Sequence, residues 1–124
     1  MKEVEILVEV KSDIKVVKEK LEKFEFLCED KIKDIYYYDP LRNNLKPDNG
    51  HIKECLRLRT KANEYFITYK NDNFDSNGKW LYSDEFETKI IDKTVIEKIL
   101  KNLGLKELIV IDSIKKYINL INMK

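Results

Sequence analysis

Residues 53–70 read KECLRLRTKANEYFITYK, and this stretch decides the fold. Residues 53–61 and 64–70 alternate in character, the period of two that marks a half-buried strand. Only Ala62 and Asn63 separate the two runs, so they are predicted to form a tight antiparallel hairpin. Alternation sends Arg57 and Arg59 to one face of the first strand. It sends Phe66, Thr68 and Lys70 to one face of the second.

The same periodicity extends outward in both directions. Residues 80–91 (WLYSDEFETKII) read as a long strand. Ser83, Glu85, Glu87 and Lys89 fall on one side, and Asp84, Phe86, Thr88 and Ile90 on the other. Residues 2–10 (KEVEILVEV) place Val4, Ile6, Val8 and Val10 opposite Glu3, Glu5, Leu7 and Glu9. Residues 26–29 and 33–38 are predicted as two strands around a charged turn. Residues 107–111 (ELIVI) suit a buried strand, and 114–121 a further one. Two polar loops, at 39–51 and 71–79, carry the turn signals Asn49-Gly50 and Asn77-Gly78. A helix capped by Ser12 is predicted through Phe24, with Ile14, Val17, Leu21 and Phe24 on one stripe. A second is capped by Asp92 or Thr94 and stopped at Gly104. The class is therefore α+β, one large antiparallel sheet with two helices over its outer, apolar face.

Composition narrows the function. The 124 residues fit a single domain. At 43% hydrophobic and 38% charged, with 3 Gly and 2 Pro, the chain is neither low-complexity nor wholly disordered. The uncharged apolar runs fall far short of the ~18 residues of a membrane span, and the acids at Glu3 and Glu5 are unlike a signal peptide. Cytoplasm is the expected compartment, with no membrane partner. A net charge of +1 provides no overall field toward nucleic acid, so none is expected as a partner. Cys28 and Cys55 form no zinc or disulfide pattern and read as small buried hydrophobes. His51, the one histidine, sits in a polar loop and reads as a loop residue. Of Tyr36, Tyr37 and Tyr38, at least one belongs to the core. Trp80 reads as packing a sheet end.

The opposite face is polar on nearly every strand. A plain reading makes it a solvated sheet face, which antiparallel sheets often have. A sharper one has the sheet curl so that this face lines a cavity. Paired carboxylates there suit a hard divalent cation. Paired arginines with a lysine suit phosphate oxygens.

The order of several short motifs resembles the CYTH family of class IV adenylyl cyclases, thiamine triphosphatases and inorganic triphosphatases. Glu3-Val4-Glu5 matches the family's opening E-x-E. Asp34-Ile35-Tyr36-Tyr37, Leu56-Arg57-Leu58-Arg59, Thr68-Tyr69-Lys70, Glu85-Phe86-Glu87 with Asp92, and Leu103-Gly104-Leu105 follow in the family's order. The stretch from Asp34 to Arg59 is most similar to the cyclase-like branch. The resemblance implies a triphosphate tunnel, a barrel whose bore holds a triphosphate compound with Mg²⁺ or Mn²⁺. Carried onto this chain, it makes Arg57, Arg59 and Lys70 phosphate-binding and Glu3, Glu5, Glu85 and Glu87 metal-binding.

Three departures accompany it. Leu7 stands where the family has a lysine, and Ser83 where many members have an arginine. Asp112 and Ile114 lie near a common basic pair, for which Lys115 or Lys116 would have to substitute. The chain is also short against the family, so the expectation is a single CYTH-like domain over 1–124 lacking the last strands, which leaves three readings of the barrel open: a fragment, a shortened member with an open groove, or a chain closed by a partner. The free edge of an open sheet would favour pairing with a second copy. The implied activity is cyclase-like or hydrolytic. The alternative is a catalytically decayed phosphate-binding or regulatory module.

Overall fold

A computed structural model of the chain describes residues 2–3 and 9–123. Strand β1 (Lys2–Glu3) is followed by α1 (Ile14–Leu21), β2 (Phe24–Tyr38), β3 (Glu54–Lys61) and β4 (Glu64–Phe74). β5 (Trp80–Ile90), α2 (Lys93–Asn102) and β6 (Lys106–Met123) complete the order. The strands form one antiparallel sheet in the order β1-β5-β4-β3-β2-β6. Five of them are long, and the two described residues of β1 pair with β5 at one margin.

The hairpin forms as its sequence dictates. Ala62 and Asn63 take φ of 50° and 60°, the left-handed pair of a type I′ turn, whose twist matches that of the strands. Lys61 lies opposite Glu64, and the ladder runs on to Glu54 opposite Asn71. Asn49-Gly50 makes a similar reversal, with φ of 51° and 80° and two backbone hydrogen bonds between Asp48 and His51. His51 is an exposed loop residue.

The helices begin near the predicted caps. Asp92 accepts from the Val95 amide at 3.1 Å, and Gly104 follows the end of α2 at φ 89°, where a Cβ would be strained. In α1 the cap is Asp13, not Ser12; its carboxylate accepts from the Lys15 amide at 2.8 Å. The helix stops at Leu21, and Phe24 opens β2.

Leu100 of α2 packs with Ile35, Tyr37 and Leu58, and Leu56, Ile67, Ile90, Ile96 and Leu105 surround them. These sheet residues share one face, so α2 lies over the apolar side. Tyr37 is the buried tyrosine of its trio. No residue of α1 is buried; Ile14 and Leu21 stay 65% and 38% exposed. The expectation that both helices cover the apolar face is met by α2 only in part: Leu100 is buried and Ile96 packs beside it, while Val95, Ile99 and Leu103 stay 48%, 47% and 71% exposed.

Two predicted breaks are absent. β2 runs unbroken through Asp30, because its charges find partners across the strands: Asp30 lies 3.4 Å from Lys61 and opposite Lys115. β6 likewise continues through Asp112 and Ser113, paired against Lys33 and Ile32. β4 extends four residues past Lys70 into the second predicted loop.

The sheet is not closed into a barrel. β1 and β6 are its two margins, with no ladder between them among the described residues. The sheet nevertheless curls. Four strand spacings separate β5 from β6, roughly 19 Å on a flat sheet, yet Glu85 and Glu87 of β5 and Lys115 of β6 line one cavity.

Candidate functional site

That cavity, about 440 Å³, lies on the face opposite the α2 core. Register assembles it. Arg57 stands between Tyr36 and Thr68, and Arg59 between Asp34 and Phe66. Thr68 faces Glu87, and Lys70 faces Glu85. Directly paired residues share a face, so the alternation within each strand becomes one polar surface across four strands. Arg57, Arg59, Lys70, Glu85 and Glu87 are thus brought together. Asp34, Tyr36 and Lys115 join them in lining the cavity.

Burial separates this face from a merely wet one. Asp34, Arg57, Thr68 and Ser83 are 5%, 6%, 0% and 5% exposed. Charged groups are held that far from water only when they are paired or hydrogen-bonded. Arg59 is paired in full: its Nε and a terminal nitrogen each donate to a different Asp34 oxygen at 2.8 Å. This planar two-point contact keeps the Arg59 guanidinium above its ordinary range despite burial.

Arg57 is held differently. A terminal nitrogen donates to Thr68 Oγ1 at 3.4 Å and lies 3.6 Å from the Glu87 carboxylate. The Thr68 hydroxyl donates to Glu87 at 2.7 Å. The Arg57 Nε is buried with no partner. A buried donor left unsatisfied costs about 1–3 kcal/mol.

The acidic candidates divide. Glu85 and Glu87 sit two residues apart on the cavity wall, with Glu85 3.9 Å from Lys70 Nζ. Glu3 stands opposite Ser83 in the β1–β5 ladder. Glu5, like Leu7, lies outside the described residues. Among the described residues no three of His, Cys, Asp and Glu gather as a metal cluster. Two carboxylates do fit one situation, a Mg²⁺-like ion that takes its remaining oxygens from water and from substrate phosphates.

Sequence reasoning left three contributors unassigned. Asp34 was visible only as part of a motif, and its role depends on the β2–β3 register. Thr68 is the fully buried bridge between Arg57 and Glu87. Lys115 could be told from Lys116 only once β6 was aligned on β2: Lys115 falls opposite Asp30, on the face of Asp34. Ser83 accepts from the Trp80 indole N–H at 3.3 Å and donates to Asp72, so it braces the wall. Burial pushes the Cys55 thiol up, against the lowering effect of Arg57 and Lys70. Cys55 is half-buried and Cys28 exposed, so neither is the small buried hydrophobe expected from the sequence.

The profile of the CYTH domain matches residues 1–122. A Methanocaldococcus jannaschii protein named "Putative adenylate cyclase MJ0240" is 38% identical over 109 residues, 86% of this chain and 58% of the relative. The PH1819 protein of Pyrococcus horikoshii superposes with a TM-score of 0.63 at 30% identity, covering 84% of this chain and 58% of its own. The PH1012 protein of the same organism has the same fold, with a TM-score of 0.62 at 23% identity over 90% and 62%. The chain therefore spans about 58% of the length of the curated relative it matches. No helix among the described residues is long and apolar enough to cross a membrane.

Proposed function

The chain belongs to the CYTH family, and from that premise we propose that it binds a triphosphate compound together with Mg²⁺ or Mn²⁺ in the polar cavity. The observation that carries this reading is Arg57. It lines the cavity beside a second arginine, Lys70 and Lys115, a concentration of cationic groups on one wall. Arg57 would offer guanidinium N–H groups to phosphoryl oxygens, Arg59 the N–H groups that do not bind Asp34, and Lys70 a point charge. Asp34 keeps Arg59 in place before any ligand arrives, so little ordering remains to be done at binding. Glu85 and Glu87 would hold the metal, which supplies charge neutralisation to the phosphates when bound.

In this arrangement the guanidinium groups stabilise charge that builds on the transferred phosphoryl group or on leaving pyrophosphate. Water as the nucleophile gives hydrolysis. A ribose 3′-hydroxyl gives a cyclic nucleotide, the outcome that the name of the M. jannaschii relative favours. A second reading keeps the binding and loses turnover. Leu7 motivates it, since it stands where the family has a lysine and cannot bind phosphate or activate a nucleophile.

Calorimetric titration with tripolyphosphate in Mg²⁺ tests the binding. Arg57→Ala is expected to weaken it by about 1.5–3 kcal/mol, the scale of a charge-assisted hydrogen bond. Equal affinity in the wild type and the Arg57→Ala, Arg59→Ala double variant would sink the proposal.

A further inference from the structure

Strand β6 is a margin of the sheet. One of its edges is laddered to β2, and among the described residues the other edge carries no strand. β6 advances without an extra residue from Ile109 to Ile118, and this stretch holds no proline or glycine. It therefore presents a regular outward row of amides and carbonyls, the template on which a further strand can add. The side chains beside that row are not covered: Val110, Ile111, Ile114 and Tyr117 are all exposed.

The charges on this strand are arranged about one residue. Asp112 and Lys116 stand two positions before and two after Ile114, on the α2 side of the sheet, and both are exposed. Within the chain Asp112 lies opposite Lys33, and Lys116 opposite Glu29. Two antiparallel copies of β6 lying side by side are related by a two-fold axis perpendicular to the sheet. Directly opposed residues share a face, so such an axis lies between two copies of the same residue. Centred on Ile114, it sets Asp112 against Lys116 of the second copy, and Lys116 against Asp112 of the second copy. Lys33, Asp112, Lys116 and Glu29 then follow one another across four strands, the sign alternating at every step. Val110 meets Ile118, Ile111 meets Tyr117, and the two Ile114 side chains meet each other. Neighbouring centres lose this match. Ser113 leaves Asp112 against Ile114, Asp112 sets aspartate against aspartate, and Lys115 sets lysine against lysine.

We propose that β6 is a docking edge for a second copy of this chain, the two sheets joining into one across the Ile114 pair. The occupant is a second copy because the edge is its own charge complement. A strand of other sequence would satisfy the backbone row without answering both Asp112 and Lys116. Pairing also takes the exposed isoleucines and Tyr117 out of water. The two-fold leaves both polar cavities on the same side of the joined sheet. Lys115, which lines the cavity, comes to lie opposite Ser113 of the second copy.

Sedimentation equilibrium of the whole chain at low ionic strength tests the pairing. The wild type is expected to approach twice the mass of one chain as concentration rises. Asp112→Lys sets lysine against Lys116, and Lys116→Glu sets glutamate against Asp112. With two charge pairs reversed, each variant alone is expected to dissociate about tenfold more readily. Mixed in equal amounts they restore both pairs, since one copy carries only cations at 112 and 116 and the other only anions. The mixture is expected to dimerise at least as well as the wild type, which also shows that both variants are folded. In a Cys28→Ser background, Ile114→Cys is expected to form a disulfide between copies under mild oxidation, and Ile109→Cys is not. A wild type that keeps the mass of one chain at every concentration overturns the proposal and leaves the edge to water or to another segment. A dimer that ignores both charge reversals, or a mixture no tighter than either variant alone, places the contact elsewhere and overturns it too. Masses above two copies mean an open-ended contact and overturn the two-fold.

Discussion

Tyr69 donates its phenol hydrogen to Glu54, and that bond, with burial and the nearby carboxylate charge adding to it, raises its pKa to about 12. Tyr37 is also raised to about 12, chiefly by burial under α2. A raised tyrosine pKa means that the native state favours the neutral phenol. The associated stability is fully present below pH 10 and is lost as pH rises through about 12. Alkaline difference absorbance should therefore show Tyr69 and Tyr37 ionising late. Glu54→Ala should return one of them toward 10 and leave Tyr37 late; an unchanged titration curve would refute the assignment. Legibility at this scale follows from distance along the chain. Arg57 with Arg59, and Glu85 with Glu87, were readable because alternation within one strand fixes a shared face. Asp34 meets Arg59 across 25 residues of sequence, and no local pattern carries that register. The missing Arg57 Nε acceptor is equally invisible in sequence, since it is a property of the assembled face.

At the scale of elements, the hairpins and α2 were legible because their ends carry chemistry: Asn49-Gly50, Asp92 and Gly104 each satisfy a backbone requirement. β2 and β6 were not, because charge in the middle of a strand looks like a turn until its cross-strand partners are known. Asp30 with Lys61 supplies one such partner. The Ala62-Asn63 turn shows the limit of the local signal in the other direction. Ala62 sits at φ 50°, where a Cβ on an L-residue costs roughly 1–2 kcal/mol. Replacing Ala62 by Asn and Asn63 by Gly installs the pair that a type I′ turn favours. The double variant is expected to be more stable by about 1 kcal/mol, a rise of about 4 °C or more for a domain of this size. A thermal melt measures it directly, and a lower melting temperature would mean that the turn is held by its strands and not by its own residues.

Across the whole molecule, a net charge of +1 conceals an uneven distribution. Arg57, Arg59, Lys70 and Lys115 meet Asp34, Glu85 and Glu87 in one cavity, four cations against three carboxylates. A free triphosphate carries several negative charges, more than this small excess can offset inside a curled sheet where charges interact strongly. The three carboxylates would also repel it. A divalent ion held by Glu85 and Glu87, as proposed, would reverse that balance by turning repulsive groups into ligands. Tripolyphosphate and Mg²⁺ together should therefore stabilise the fold by more than the sum of their separate effects. At a hundred times the dissociation constant, the bound pair is expected to add about 2.7 kcal/mol, a shift of several degrees in the melt. Glu85→Gln with Glu87→Gln should abolish the metal's contribution and leave tripolyphosphate alone at least as effective as before, since two repulsive charges are gone. Additive effects of the two ligands in the wild type would mean that the carboxylates serve only to hold Lys70 and Arg57, and that the cavity takes its anion without a metal.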